Sequence, residues 1–365
     1  MTHEIDLAAC RGRQQRLLAC MHQHALDLVI VTQIPHVQWL TGVRFGWMYA
    51  PAAALDTDGR LTLVAPNSAP QVAAADEVVA YEAQWHATLR NDQRAACCEV
   101  LRRVLAAPSY RRVGIEFSTL PHYLAAVGTE WFDIEPELYR LRRRKDPDEL
   151  AYLRQAIGAT EQMYGRAREI LQPGLSELEM FNQLQAAAVE YLGEMLTGTG
   201  NDYQCASMGG PPRQDHYAQA GELYILDLGP AYRGYFADNC RTLAVSEPTE
   251  LQQATWAHLV QVFDYIEQTA KPGVSCGKLF QEASQFLARA PAGRFSHHLG
   301  HGIGLFPHEA PHLNPNWDDT LETGDVFTVE PGLYAPELRA GMRIENDYLV
   351  TDSGVECLTR FDLGL

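Results

Sequence analysis

A chain of 365 residues can bury two ordinary cores, and 46% hydrophobic with 21% charged residues is a globular composition. Twenty-nine basic against 46 acidic residues leave a formal charge of −17, which argues against nucleic acid or an anionic membrane as partner. No apolar run approaches a membrane span, no leader-like apolar segment opens the chain, and the eight cysteines include no CxxC pair, so a cytoplasmic protein with reduced thiols is expected.

Residues 1–140 read as a small α/β unit. Short β-rich runs at 26–32, 61–65, 77–81 and 112–116 alternate with helical patterns near 8–24 and 88–106. Within it, Trp39-Leu-Thr-Gly42 reads as a strand end before a glycine turn. The basic run Arg140, Arg142, Arg143, Arg144 and Lys145, followed at once by Asp146, Asp148 and Glu149, reads as a solvated linker. A domain boundary is placed between Tyr139 and Pro147, giving domains 1–140 and 141–365.

Beyond the boundary, Asp146 with Pro147 can open a helix that ends near Leu171, where Gln172-Pro-Gly174 stops it. Ser176 and Glu179 form a capping-box pattern for a second helix to about Leu192. Strands are predicted near 203–208, 222–228 and 234–244, the last two forming a hairpin, then helices at 249–270 and 276–289. The final 70 residues alternate Gly/Pro turns with short strands. The segment Asn201 to Gly221, rich in Gly, Pro and polar residues, reads as a strand end and loop leading into the hairpin.

The chemistry concentrates in this second part. Asp227 and Asp238 lie eleven residues apart on the two hairpin strands, where facing side chains come within about 5 Å. Two facing buried carboxylates require a cation; the bland reading has Asp227 capping a strand end and Asp238 in solvent. Five of the thirteen histidines (297, 298, 301, 308 and 312) fall in sixteen positions, and the glycines around His301 would let backbone approach a ligand closely. Glu330 sits at a strand tip before Pro331-Gly332. Arg343 and Glu345 alternate on one predicted strand, 342–350, and share its face; for that pair alone a salt bridge on an exposed sheet face is the better reading. One imidazole and four carboxylates suit hard or borderline divalent ions better than a structural zinc.

The segments Ile225-Leu-Asp-Leu-Gly-Pro230, Gly234-Tyr-Phe-Ala-Asp-Asn-Cys-Arg-Thr242, Gly300-His-Gly-Ile-Gly304 with His308-Glu309, Val329-Glu-Pro-Gly-Leu-Tyr334 and Met342-Arg-Ile-Glu-Asn346 resemble, in this order, the pita-bread metallopeptidases. The wording is similar to Xaa-Pro aminopeptidases and Xaa-Pro dipeptidases (prolidases), with Leu141 to Leu150 resembling the branch that has a creatinase-like N-terminal domain. The resemblance implies an α+β protein: a pita-bread catalytic domain preceded by a smaller α/β domain. It implies two divalent ions per chain, Mn first and Co or Zn as alternatives, held by Asp227, Asp238, His301, Glu330 and Glu345. Asp238 and Glu345 would bridge the ions, and a hydroxide between them would attack the peptide. Glu330 would also serve as general base, His308 would hydrogen-bond the substrate carbonyl, His216 or His297 would line the pocket, and Arg343 would orient Glu345.

The implied substrate is a small peptide with proline at the second position, and the implied assembly a homodimer. A hydrolase or lyase of a small non-peptide amide, and a catalytically silent binding protein, are the competing readings. Two departures from the family pattern stand out: only eleven residues separate His216 from Asp227, and Asn346 follows Glu345 where Asp is usual.

Overall fold

In the computed structural model, residues 6–106, 110–119, 122–200 and 202–365 are described. The chain divides into two compact units, the first ending at Arg142 and the second beginning at Arg143.

The first unit is built on a six-stranded mixed sheet, in the order Glu77–Tyr81, Leu61–Pro66, Ala52–Asp56, Leu28–Val31, Arg112–Ile115 and Glu130–Asp133. Strand Leu28–Val31 pairs antiparallel with Ala52–Asp56 and parallel with Arg112–Ile115. Leu28, Ile30, Ala52, Ala54, Val64, Val113 and Ile115 share a core with Cys97, Cys98 and Leu101 of helix Gln93–Val104. The strand Ala52–Asp56 was not predicted, because alanine is a weak strand former. Here Ala52 and Ala54 are fully buried small residues in that shared core.

Three expectations change. The helix near 88–106 begins only at Gln93, and Thr88–Leu89 instead pairs with Gln84–Trp85. Leu89 of this pair is exposed. Trp39-Leu-Thr-Gly42 is the last turn of helix Ile34–Thr41 rather than a strand end, with Gly42 as its left-handed cap at φ 74°. The basic run is not a solvated linker. Arg143 makes two bonds to the buried Asp325 carboxylate, 2.9 and 2.7 Å, and Lys145 meets Glu309 at 3.2 Å. The partners of Arg143 and Lys145 come from 164 or more positions downstream, whereas Arg140 stays exposed and pairs with nearby Glu137, so local charge pattern misjudged the buried part of the run.

In the second unit, helices Pro147–Ile170 and Glu177–Leu192 pack together on an antiparallel three-stranded sheet, ordered Asn239–Ala244, Leu223–Leu228, Asp202–Cys205. The first helix opens as expected, with Glu149 accepting from the Asp146 N–H at 3.0 Å, and Ser176 Oγ caps the second by accepting from the Glu179 N–H at 3.0 Å. A five-stranded antiparallel sheet, ordered Glu309–Leu313, Gly300–Gly302, Val326–Val329, Asn346–Val350 and Val355–Cys357, carries helices Gln261–Thr269 and Cys276–Leu287. The predicted helix 249–270 is broken at Val260 into Glu250–Leu259 and Gln261–Thr269. The predicted strand 234–244 is interrupted too: Tyr235–Phe236 closes a small hairpin with Ala231–Tyr232 before Asn239–Ala244 resumes. Glu345 N–H donates to Cys240 O at 2.9 Å and joins the two sheet systems. Asn201 falls outside the described residues.

Candidate metal centre

The interruptions in these strands are what build the site. Asp227 lies inside strand Leu223–Leu228, directly opposite Cys240, and Asp238 is the residue just before strand Asn239–Ala244. His301 is the central residue of Gly300–Gly302. Glu330 follows Val326–Val329, and Glu345 occupies the break between Ala340–Arg343 and Asn346–Val350. The continuous strand expected over 342–350 is therefore two strands in different sheets. Asp238, Glu330 and Glu345 project from points where regular pairing begins or ends, whereas Asp227 projects from within a paired strand.

These five residues line one cavity of about 500 Å³ together with Asp202, Met208, Ser296, His297, His298, His308, Tyr334 and Arg343. All five are buried. His301 Nε2 lies 3.7 Å from Asp238 Oδ2 and 3.6 Å from Glu330 Oε1, and His298 Nδ1 lies 3.3 Å from the same Glu330 oxygen. Burial first, then the neighbouring carboxylates, pushes the acids of Asp238, Glu330 and Glu345 well above the usual range. Burial first, then the neighbouring His308, pulls His301 well below its ordinary value, so its ring is neutral. Its Nδ1 lies 3.1 Å from Gly302 O, a carbonyl that can only accept. The proton therefore sits on Nδ1, and Nε2 turns a bare lone pair toward two carboxylates.

Asp227 Oδ1 and Glu345 Oε2 are buried without a hydrogen-bond partner. Ionising these carboxylates against that lone pair, beside orphaned carboxylate oxygens, is unfavourable until a cation fills the space. Two overlapping groups, His301–Glu330–Glu345 and Asp238–His301–His308, bring potential ligand atoms within 4.8 Å of one another. The residues fit a divalent metal centre.

Around this centre the sequence expectations divide. His308 stacks on His301, ring centroids 3.7 Å apart, and is exposed toward the cavity it lines. His297 also lines it; Nδ1 faces His298 O at 2.8 Å and Nε2 meets Tyr334 Oη at 2.9 Å. Burial holds His297 down to about 4, so Nε2 accepts from the tyrosine.

His216 does not join this group. It sits 3.4 Å from Glu222 and is absent from the cavity lining, because its chain neighbour Tyr217 bridges back to Ser176. The short segment before Asp227 thus carries His216 away from the centre.

Arg343 does not orient Glu345. Its Nη2 bonds Asp227 Oδ2 at 2.7 Å and also Asp202 Oδ2, while Nη1 reaches Tyr334 Oη and Met208 O, each at 3.3 Å. The break at residues 344–345 sends the two side chains to different partners. The glycines flanking His301 serve strand packing rather than a ligand: a Cβ on Gly300 would come 2.0 Å from Thr328 O, and one on Gly302 2.1 Å from Ala310 O. Asn346, the other departure, accepts from Arg241 Nη2 at 2.9 Å and from Thr359 Oγ1 at 3.1 Å, a role that a neutral amide fills.

Asp202, His298 and Tyr334 were missed as site residues. His298 and Tyr334 stood in segments already singled out. Asp202 carried no local signal; it enters because it is the cross-strand partner of Asp227.

Residues 151–352 match Metallopeptidase family M24, and residues 13–143 match the Creatinase/Prolidase N-terminal domain. Uncharacterized peptidases of Staphylococcus aureus (strain MW2) and Staphylococcus epidermidis are each 31% identical over 235 residues, 63% of this chain and 66% of their own length. The fold is similar to that of the Xaa-Pro dipeptidase from Bacillus anthracis, with a TM-score of 0.82, 23% identity, and 98% of this chain and all of that one covered. It is similar also to the prolidase from Pyrococcus furiosus, with a TM-score of 0.79, 24% identity, and 94% and 99% covered. Aminopeptidase P from E. coli, at 19% identity over 98% and 95% of the two chains, gives a TM-score of 0.79. At these identities the likeness is one of fold, a creatinase-type domain followed by a pita-bread domain. With more than half of its length matched, this chain belongs to metallopeptidase family M24.

Proposed function

We propose that this protein is a dinuclear metal-dependent exopeptidase that hydrolyses Xaa-Pro bonds, as an Xaa-Pro dipeptidase or aminopeptidase. The observation that carries the proposal is the meeting of Asp238 and Glu330 at the bare Nε2 of a neutral His301, with Asp227 and Glu345 buried in the same cavity. Divalent ions bound there would acidify a water and polarise the scissile carbonyl. Asp227, Asp238, His301, Glu330 and Glu345 would hold these ions. Glu330 takes up the proton released by the attacking water and hands it to the departing amine. His308, stacked on His301 at the cavity, hydrogen-bonds the carbonyl oxygen as negative charge develops on it. Tyr334 and His297 form a wall held by Arg343, so that the cavity keeps its shape while the peptide is seated.

The proline preference rests on the kinship with proteins whose names specify it. An amide to proline lacks the N–H that strand-pairing proteases use, so such a bond needs a pocket that reads a peptide end instead. The eight cysteines are all free and buried, which supports a reducing, cytoplasmic setting. A homodimer is the assembly we assign.

The test is metal analysis with a peptide panel after reconstitution with Mn, Co or Zn. We expect about two ions per chain and Xaa-Pro cleavage well above that of the matched Xaa-Ala peptide. Equal rates on both, or turnover of small amides alone, would replace the peptide reading with the small-amide one.

A further inference from the structure

Asp202 is a fifth carboxylate in the cavity, outside the five residues assigned to metal. It sits on strand Asp202–Cys205 directly opposite Asp227, so both side chains project from the same face of the sheet. Gly209, at φ 126°, packs so closely that a Cβ there would lie 2.1 Å from Asp202 Oδ2; the loop fixes this carboxylate in place. Its one charged partner is Arg343 Nη2, and that nitrogen is already bonded to Asp227 Oδ2 at 2.7 Å. One guanidinium nitrogen thus serves two carboxylates, and this end of the cavity carries more negative charge than the chain itself offsets. The Asp202 side chain remains 20% exposed, and a carboxylate with about four acceptor positions has room for another donor.

We propose that Asp202 is a specificity-determining residue that binds the free α-ammonium group of the peptide. This inference rests on the exopeptidase reading above. In a peptide cleaved after its first residue, the ammonium nitrogen is two bonds from the scissile carbonyl carbon. Its receptor must therefore stand beside the metal carboxylates, and Asp202 is separated from Asp227 by one guanidinium. A compact ammonium with three donors suits this place better than a second guanidinium, which would need a planar, forked partner. The same charge excludes peptides with a second carboxylate near the amine, and N-acylated peptides forfeit the contact.

The experiment uses the Mn-loaded full-length protein and its Asp202→Asn variant, which keeps an acceptor for Arg343 and removes the charge. Calorimetry with L-alaninamide and N-acetyl-L-alaninamide should show the wild type favouring the free amine by about 10–100-fold, the worth of one hydrogen bond to a charged group. The variant should lose that preference by weakening for the free amine alone, with metal content unchanged. On a cleavable Xaa-Pro peptide the same loss should appear in KM rather than kcat.

Equal wild-type affinity for the two amides overturns the inference without any variant. So do equal losses for both ligands, or metal loss in the variant, because Asp202 would then act only through Arg343 and Asp227. Asp202→Ser provides the same comparison should the Asn variant fold poorly. Failure of the exopeptidase reading would show separately, as wild-type protein that binds the amine but cleaves no Xaa-Pro peptide.

Discussion

Each unit of this protein buries a cluster of carboxylates and histidine, and the two clusters behave in opposite ways. In the first unit, Glu116 is fully buried yet receives Thr32 N–H at 2.7 Å, Thr32 Oγ1 at 2.8 Å, Thr119 Oγ1 at 3.0 Å and His36 Nδ1 at 2.7 Å. Glu135 is similarly served by Ser118, Gln33 and Tyr139. Burial opposes ionisation of Glu116, but His36 and Thr32 outweigh it and hold the acid below its usual range. In the second unit, Asp238, Glu330 and Glu345 face one another, and their acids are pushed up. Residue type is the same; what differs is the supply of donors. A carboxylate surrounded by N–H and O–H groups braces the fold, whereas carboxylates turned on each other need a cation.

The largest effect should come from removing that need at its centre. Asp238→Ala or Glu345→Ala is expected to lose both metal and activity, read by elemental analysis and peptide turnover. His308→Ala should instead keep its metal and lose roughly 10²–10³ in kcat, the usual cost of one electrostatic stabiliser. A His308 variant without metal would move that residue into the ligand set.

On the other side of the comparison, Glu116→Ala should destabilise the first unit by at least about 1–3 kcal/mol, since it leaves the buried donors of Thr32 and His36 without their acceptor. Hydrogen exchange should place the loss around Leu28–Val31 and Ile34–Thr41, with bound metal in the second unit unchanged. Metal loss in this variant would mean that the two clusters are not independent.

The pH response should separate the clusters further. A raised folded-state pKa contributes stability present below the unfolded value and lost as pH rises through the folded one. Above about pH 6.5 the cavity histidines are neutral in both states, so only the carboxylates still change there. The melting temperature of metal-free protein should therefore keep falling as pH rises above that point, and that of metal-loaded protein should fall less. Glu116 acts with the opposite sign: its contribution is present above about pH 4.5 and is lost as pH falls through its lowered folded value.

The smallest effect is expected at His216. With its ring against Glu222 and outside the cavity lining, His216→Ala should leave kcat and KM within about twofold, the scale of a surface substitution. A large loss of turnover would bring that loop back to the site.

The sequence by itself determined the parts that depend on near neighbours. Asp146 and Ser176 announce the helices they open, and the Gly-punctuated segments announce Asp227, Asp238, His301, Glu330 and Glu345 by type and order. Local wording also supported the division into a smaller first unit and a larger second one. Only the tertiary structure decided who meets whom. Arg143 finds Asp325 across 182 positions and Arg343 finds Asp202 across 141. Asp202 becomes a neighbour of Asp227 through strand register alone. Periodicity and capping are written within a few residues, since they follow from backbone geometry. Partnerships between buried charges are fixed by strand pairing and strand breaks, which bring distant residues together without leaving a local mark.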